Sequence, residues 1–283
     1  MIPRILHSRS TLYSYMTDFE DGAWVFGVSR DTYPELFNLA HPEIVGKSPS
    51  GWRSNQTGNF RYLWFPPDVL GEHDIEAIAD WRDRFGQYVL IGLNKHISMR
   101  FADELDFCLA LDFNYDPRAE KRTLYGEAEY QLKYRHSRPY LKAIQAGLQE
   151  ALDDLPIPES DQDGVVLSWI PSDPDRWNVP KMLAVSLAAS RNGELFQADL
   201  RCEKVAAKSI PVEEKIPAWR KLYETPGCIV CRGDVADQTV VVIDDLYQSG
   251  ATMWCYAQYL KQSGAKYVFG LVCVKSLRDT DNR

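Results

Sequence analysis

The stretch VVVIDDLYQSGAT, residues 240–252, decides how the rest of the chain is read. Its leading residues Val240, Val241, Val242 and Ile243 form the continuous apolar run of a strand buried on both faces. Two carboxylates, Asp244 and Asp245, stand at the carboxyl end of that run, and a short turn with Gly250 leads into a helix. The backbone N–H groups of Gln248, Ser249, Gly250, Ala251 and Thr252 can converge at the helix amino terminus, where the partial positive charge favours a phosphate. Gly250 permits close backbone approach. Carboxylates beside such a cradle would repel phosphate, so they suit hydroxyls or a metal a short distance away. A sugar phosphate meets both demands. A solvent-facing acid pair followed by a capping hydroxyl is the plainer alternative, but the thirteen-residue string as a whole favours a ligand.

Working outward, RPYLKAIQAGLQEAL (138–152) places Leu141, Ile144, Leu148 and Leu152 on one helical face. GVVLSWI (164–170) follows as a strand, then a helix near 179–189 and a strand LFQADL (195–200). A polar, basic loop is expected over 201–226, then strands CIVC and TVVVID, a helix from about Gly250 and a strand YVFGLVCV. Strands alternating with helices predict an α/β domain with a mainly parallel sheet flanked by helices and right-handed crossovers.

Upstream the chain is less explicit. AWVFGVS (23–29) reads as a buried strand, HDIEAIADWRDRF (73–85) as a helix and QYVLIGLN (87–94) as a second strand, which together suggest an additional amino-terminal α/β or α+β region. It is expected to end near the charged DPRAEKR (116–122), giving domains of residues 1–120 and 121–283. The clustered aromatics of this part, such as RYLWF (61–65), read as core and interface packing, because no basic residues interleave with them.

At 283 residues, 45% hydrophobic and 25% charged, the chain has the composition of a globular protein. Thirty-two basic against 40 acidic residues give a net charge of −8, which disfavours broad nucleic-acid binding. The opening MIPRILHSRS has no signal-peptide run and no apolar stretch is long enough for a bilayer, so no membrane is expected, and a cytoplasmic setting with reduced thiols is. Cys228 and Cys231 form C-x-x-C without a second pair at zinc spacing, and core packing is the expected role. The five histidines show no ligand spacing, and no nucleophile elbow is present.

The 240–252 string resembles the ribose-phosphate signature of type I phosphoribosyltransferases, and among them the ComF-like family. TLYGEAEYQLKYRHSRPYLKAIQAGL (123–148) is similar to that family's Tyr-Gly and Leu-Lys-Tyr segment, and VVLSWIPSDPDRW (165–177) to its strand and pyrophosphate loop. The family's Arg-Gly-Phe-Asn run is replaced by NVPKML, Gln248 stands where Thr is common, and the zinc-ribbon cysteines are missing. The resemblance implies binding of 5-phosphoribosyl-1-pyrophosphate (PRPP) with Mg²⁺, and transfer of the phosphoribosyl group to an unidentified acceptor. Residue by residue, it implies that Asp244 and Asp245 contact the ribose hydroxyls and Mg²⁺-bound water, that Gln248, Ser249, Gly250, Ala251 and Thr252 hold the 5′-phosphate, and that Pro171, Ser172 and Asp173 approach the pyrophosphate.

The 201–226 loop falls where this fold keeps its closing hood, so Lys204, Lys208 and Arg220 are candidates to reach the leaving group, with Lys204 and Lys208 placed in the catalytic set beside the two aspartates. A solvated basic loop is the alternative. Lys133, in QLKYRHS, is either an anion contact or a surface charge. A second functional reading is a non-catalytic PRPP-binding sensor or effector module, as in retron-like antiphage systems, with the amino-terminal region as the surface for a protein partner.

Overall fold

A computed structural model describes residues 14–29, 32–58, 60–91, 104–173, 175, 177–203 and 210–277. Its contacts divide the chain into two compact units, Met1–Leu90 and Ile91–Arg283.

The first unit holds an antiparallel sheet of strands β1 (Ser14–Asp18), β2 (Trp24–Ser29), β3 (Arg53–Ser54) and β4 (Phe60–Phe65) in the order β1-β2-β4-β3. Burial alternates as a one-sided sheet requires: Leu63 and Phe65 are buried while Trp64 between them is exposed. The buried face meets helices α1 (Thr32–Ala40), α2 (Pro42–Gly46) and α3 (Glu72–Gly86); β5 (Val89–Leu90) ends the unit. α3 turns Ile78, Trp81 and Phe85 inward. The rings of Phe26, Phe37 and Trp81 lock together, with centroids 4.8 Å apart for the first two and 5.0 Å for the last two. Asp74 fastens the start of α3 by accepting from the Gly71 N–H at 2.8 Å and from the Lys47 ammonium at 2.6 Å.

The second unit contains a parallel sheet in which β6 (Phe107–Phe113), β12 (Tyr267–Lys275), β11 (Thr239–Tyr247), β7 (Val165–Trp169) and β8 (Glu194–Leu195) lie side by side in that order. The strands are apolar end to end, as burial on both faces demands: every residue of β12 from Val268 to Val274 is buried. Helices α4 (Leu124–Arg135), α5 (Pro139–Asp153), α6 (Val179–Arg191) and α8 (Ala251–Gln262) flank it. Right-handed crossovers send α6, between β7 and β8, and α8, between β11 and β12, to opposite faces. The mainly parallel α/β sheet expected from the sequence is therefore present.

Several local expectations change. β6 pairs with β12, Leu109 opposite Leu271, so a strand preceding the expected boundary near residue 120 belongs to the parallel sheet. The strand around CIVC, β10 (Ile229–Arg232), pairs antiparallel with β9 (Gln197–Leu200) in a separate two-stranded ribbon. The basic loop contains helix α7 (Val212–Glu224), whose Ile216, Trp219 and Leu222 are buried. Cys228 is buried, as core packing requires, and is joined to Cys202 in a disulfide, a pairing not expected from the sequence; Cys108, Cys231, Cys255 and Cys273 are thiols. The Arg201 N–H donates to the Cys228 carbonyl at 2.8 Å, drawing the two Cα atoms to 4.9 Å, within bridging range. Cys231 remains a thiol, its sulfur 3.1 Å from the Tyr259 hydroxyl.

Candidate functional site

The chain leaves β7 for β8 in one direction along the sheet and β11 for β12 in the other, so the strand order reverses between β7 and β11. Crossovers on opposite faces leave a crevice at the carboxyl ends of that strand pair, the place where open α/β sheets bind ligands. The last paired residues are Trp169 and Ile243, with the Ile170 N–H donating to the Ile243 carbonyl at 3.3 Å.

Beyond that point the strands part. β7 turns away at Pro171, which has no N–H to continue the ladder. β11 runs on beside β12, pairing Asp244 with Val272 and Tyr247 with Lys275. The two acids thus lie inside an extended strand rather than at its end, because the long partner β12 carries the pairing four residues further. Past Trp169 the chain turns towards β9, where Ser172 bridges to Asp199, while Asp244 and Asp245 stay beside β12.

Ser172, Trp177 and Asn178 are each held by neighbouring elements. The Leu200 N–H of β9 donates to the Ser172 carbonyl at 3.1 Å, and the Asn178 amide donates to the Ser172 hydroxyl at 2.6 Å. The Asn178 side chain also caps α6 by accepting from the Lys181 N–H at 3.0 Å. The Trp177 indole donates to the Leu132 carbonyl of α4 at 3.1 Å and packs on His136. α8 begins four residues after β11, with free first-turn N–H groups and a partial positive charge, whereas the first turn of α6 is closed by the Asn178 cap and by Pro180, which has no N–H.

The turn into α8 is shaped by Gly250 and Tyr247. Gly250 sits at φ +81° as the residue before the helix, a conformation that favours glycine. A Cβ there would lie 2.1 Å from the Tyr247 hydroxyl and 2.7 Å from the Trp254 ring. The close approach demonstrated at Gly250 is therefore to the protein's own tyrosine, which fills the inside of the turn. Around it, Ser249 and Ala251 are buried and Gln248 and Thr252 half-buried.

α4 contributes a charged group that the sequence left undecided. Thr123 caps the helix by accepting from the Gly126 N–H at 3.0 Å, and a Cβ on Gly126 would meet the Asn114 carbonyl at 2.1 Å, so glycine lets the first turn press against the end of β6. One helical face then carries Glu129 and Lys133 together. The Lys133 ammonium lies 2.8 Å from the Asp245 carboxylate and 3.5 Å from Glu129 Oε1. Lys133 is thus neither a simple surface charge nor an anion contact; it is the counter-ion of Asp245.

Glu129 is 5% exposed, and its Oε1 has no hydrogen-bond partner. Burial pushes its carboxyl up to about 7 against the opposing pull of Lys133, and the Asp245 charge adds to the rise. Burial would lower the Lys133 ammonium, but the negative charge of Asp245, and then that of Glu129, more than offsets this and raises it. The Cys273 thiol of β12 is raised by burial first and by the same acids second.

Lys204 and Lys208 lie outside the described residues. Arg220, the third candidate of that segment, is on α7 and donates to the Gln258 side chain of α8 at 3.0 Å, a contact within the helix pair. Among the described residues, no cluster of three or more His, Cys, Asp and Glu is arranged to hold a metal ion. No described helix is long and apolar enough to cross a membrane.

No protein family matches the chain by sequence, and no curated protein does either. Among solved structures it is similar to a hypoxanthine phosphoribosyltransferase from Staphylococcus aureus at 11% identity and TM-score 0.32, over 49% of this chain and 65% of that one. It is likewise similar to a purine phosphoribosyltransferase from Pyrococcus horikoshii, at 16% identity and TM-score 0.30, over 49% and 83% of the two chains. A phosphoribosylpyrophosphate synthetase from Mycobacterium smegmatis matches at 16% identity and TM-score 0.30, over 50% of this chain and 35% of that one.

Proposed function

We propose that the second unit binds PRPP with Mg²⁺ in the crevice between β7 and β11 and transfers its phosphoribosyl group to a nitrogenous acceptor. One observation supports this reading: β11 passes its last partner on β7 at Ile243 and carries Asp244 and Asp245 on towards the amino terminus of α8, at the point where the strand order reverses. A ligand with hydroxyls next to a phosphate matches that order of charges.

In this reading Asp244 and Asp245 accept hydrogen bonds from the ribose hydroxyls. The N–H groups from Gln248 to Thr252 hold the 5′-phosphate, and the segment from Pro171 to Asp173, leading to α6, faces the pyrophosphate. When bound, Mg²⁺ neutralises the oxygens of the pyrophosphate and so eases its departure. The bond from the anomeric carbon to pyrophosphate breaks with its electron pair leaving on oxygen, and a nitrogen lone pair of the acceptor forms the new bond. The amino terminus of α8 and the carboxylate pair hold the donor through this step in one orientation.

Calorimetry with PRPP, in the presence and absence of Mg²⁺, tests binding; pyrophosphate release over a panel of nucleobases tests transfer. The expected outcome is Mg²⁺-dependent binding that Asp244→Asn with Asp245→Asn abolishes, together with base-dependent release. Mg²⁺-independent binding, or binding unaltered in the double variant, would remove the site. Tight binding without pyrophosphate release for any base would remove the transfer.

A further inference from the structure

We propose that Lys133 is an exchangeable counter-ion, which leaves Asp245 for Glu129 when a cation-bearing ligand enters the crevice. The ammonium stands between two carboxylates, 2.8 Å from Asp245 and 3.5 Å from Glu129 Oε1. At the second distance Glu129 attracts the charge without receiving a hydrogen bond, and its buried oxygen has no other partner.

A buried acceptor without a donor is costly, and well-packed interiors seldom keep one. Here a single donor able to satisfy it is already within reach. A shift of less than an ångström brings Lys133 to ordinary hydrogen-bond distance from Glu129. The same shift stretches the 2.8 Å contact with Asp245 past ordinary hydrogen-bond length without separating the charges, so the Asp245 carboxylate gains room to accept from hydroxyls or from the water shell of a divalent cation. With Lys133 in place, the aspartate pair carries less negative charge towards the crevice and attracts free cations poorly. A ligand arriving with its own cation and hydroxyls supplies what Lys133 was supplying, and the lysine moves to the acid that had lacked a donor. Glu129 is then a positioning residue acting through Lys133, and Lys133 sets the affinity of the aspartates for cations. The ligand class named here rests on the PRPP reading; the exchange itself rests only on the three side chains.

The experiment uses the full chain, with Mn²⁺ as the cation because its unbound fraction is read directly by electron paramagnetic resonance, without turnover. In Lys133→Met the aspartates lose their counter-ion, so Mn²⁺ alone is expected to bind about tenfold tighter than to the wild type, the scale of an opposite charge at this separation. In Glu129→Gln the lysine has no carboxylate to move to, so Mn²⁺ is expected to bind several-fold more weakly. In the double variant Lys133→Met with Glu129→Gln, the affinity should equal that of Lys133→Met. A merely structural role would not shift the two single variants in opposite directions.

Equal Mn²⁺ affinity in the wild type and Lys133→Met overturns the proposal, and so does weakening in both. Should Lys133→Met lose its near-ultraviolet circular dichroism, Glu129→Gln decides, with unchanged Mn²⁺ affinity as the overturning result. PRPP with Mg²⁺ forms a separate arm, in which Glu129→Gln is expected to lower affinity about tenfold. If the wild type fails to bind PRPP while the Mn²⁺ shifts appear as stated, the PRPP reading falls and the exchange stands.

Discussion

The Lys47–Asp74 pair of the first unit and the Lys133–Asp245 pair of the second are finished differently. In the first unit both oxygens of Asp74 receive the Lys47 ammonium, at 2.7 and 2.6 Å, and one also caps α3 through the Gly71 N–H. In the second, Lys133 reaches Asp245 while the neighbouring Glu129 keeps a buried oxygen without a donor. A pair that serves the fold closes its hydrogen bonds locally. A pair that leaves an acid unserved stores a second arrangement, which is what a binding site needs.

The largest expected contrast is in ligand binding. Asp244→Asn with Asp245→Asn should remove detectable PRPP binding, whereas Asp74→Asn should leave it within about twofold, a difference readable in one calorimetric series. Equal losses in both would erase the distinction between the pairs.

Gly250→Ala comes next. It forces a left-handed conformation on a residue with a side chain and drives its Cβ into Tyr247, so a loss of roughly 2–4 kcal/mol in denaturant-measured stability is expected. Because the conflict is internal, the loss should appear with no ligand present. A variant that keeps full stability and loses only phosphate affinity would restore an open cradle at this turn.

The two pairs should also respond oppositely to pH. Glu129 has a folded-state pKa of about 7, above its ordinary 4.5, so between these values the folded state keeps a proton that the unfolded chain has lost. Its contribution to stability is present at low pH and is lost as pH rises through that window, by at most on the order of 3 kcal/mol. Asp74 is held below its ordinary value, chiefly by the hydrogen bond from Lys47, so its contribution is present above that value and is lost as pH falls. Chemical denaturation from pH 4 to 8 should show Glu129→Gln flattening the decline towards neutrality. The smallest effect belongs to Asp74→Asn, about 1 kcal/mol at pH 7 and less below pH 4, with the Lys47 ammonium partly exposed.

The string around Asp244 was legible because an apolar run, an acid pair and a glycine turn are adjacent in the chain, and β11, the following turn and α8 are built from those same residues. α4 was not, for a physical reason: its buried face is Gly126, Ala128, Glu129 and Leu132, a set with one large apolar residue and hence no stripe to detect. In α7, Pro217 interrupts the apolar spacing of Ile216, Trp219 and Leu222, so the segment read as loop. β6, a short apolar run, carries no period that distinguishes strand from helix, and its place beside β12 is a long-range fact. The Lys133–Asp245 contact is of the same kind: no local spacing encodes a pairing across 112 positions (245 less 133). The contact between Gly250 and Tyr247 was not legible either, since nothing in Tyr-Gln-Ser-Gly says which way the ring will fold.

The aromatic side chains between α7 and α8 have an optical consequence. Trp219 lies 6.0 Å from Tyr223, Tyr223 lies 5.9 Å from Tyr256 and 5.4 Å from Tyr259, and all these rings stack within 30° of parallel. Light absorbed by any of these phenols passes by resonance transfer along the row to the indole, which emits at longer wavelength. While α7 rests on α8, emission from this group belongs to Trp219 alone; when the helices separate, the phenol band near the blue edge returns. The helix contact thus carries its own dye pair, and the difference between the emission spectra of the wild type and Trp219→Phe reads that contact without any label.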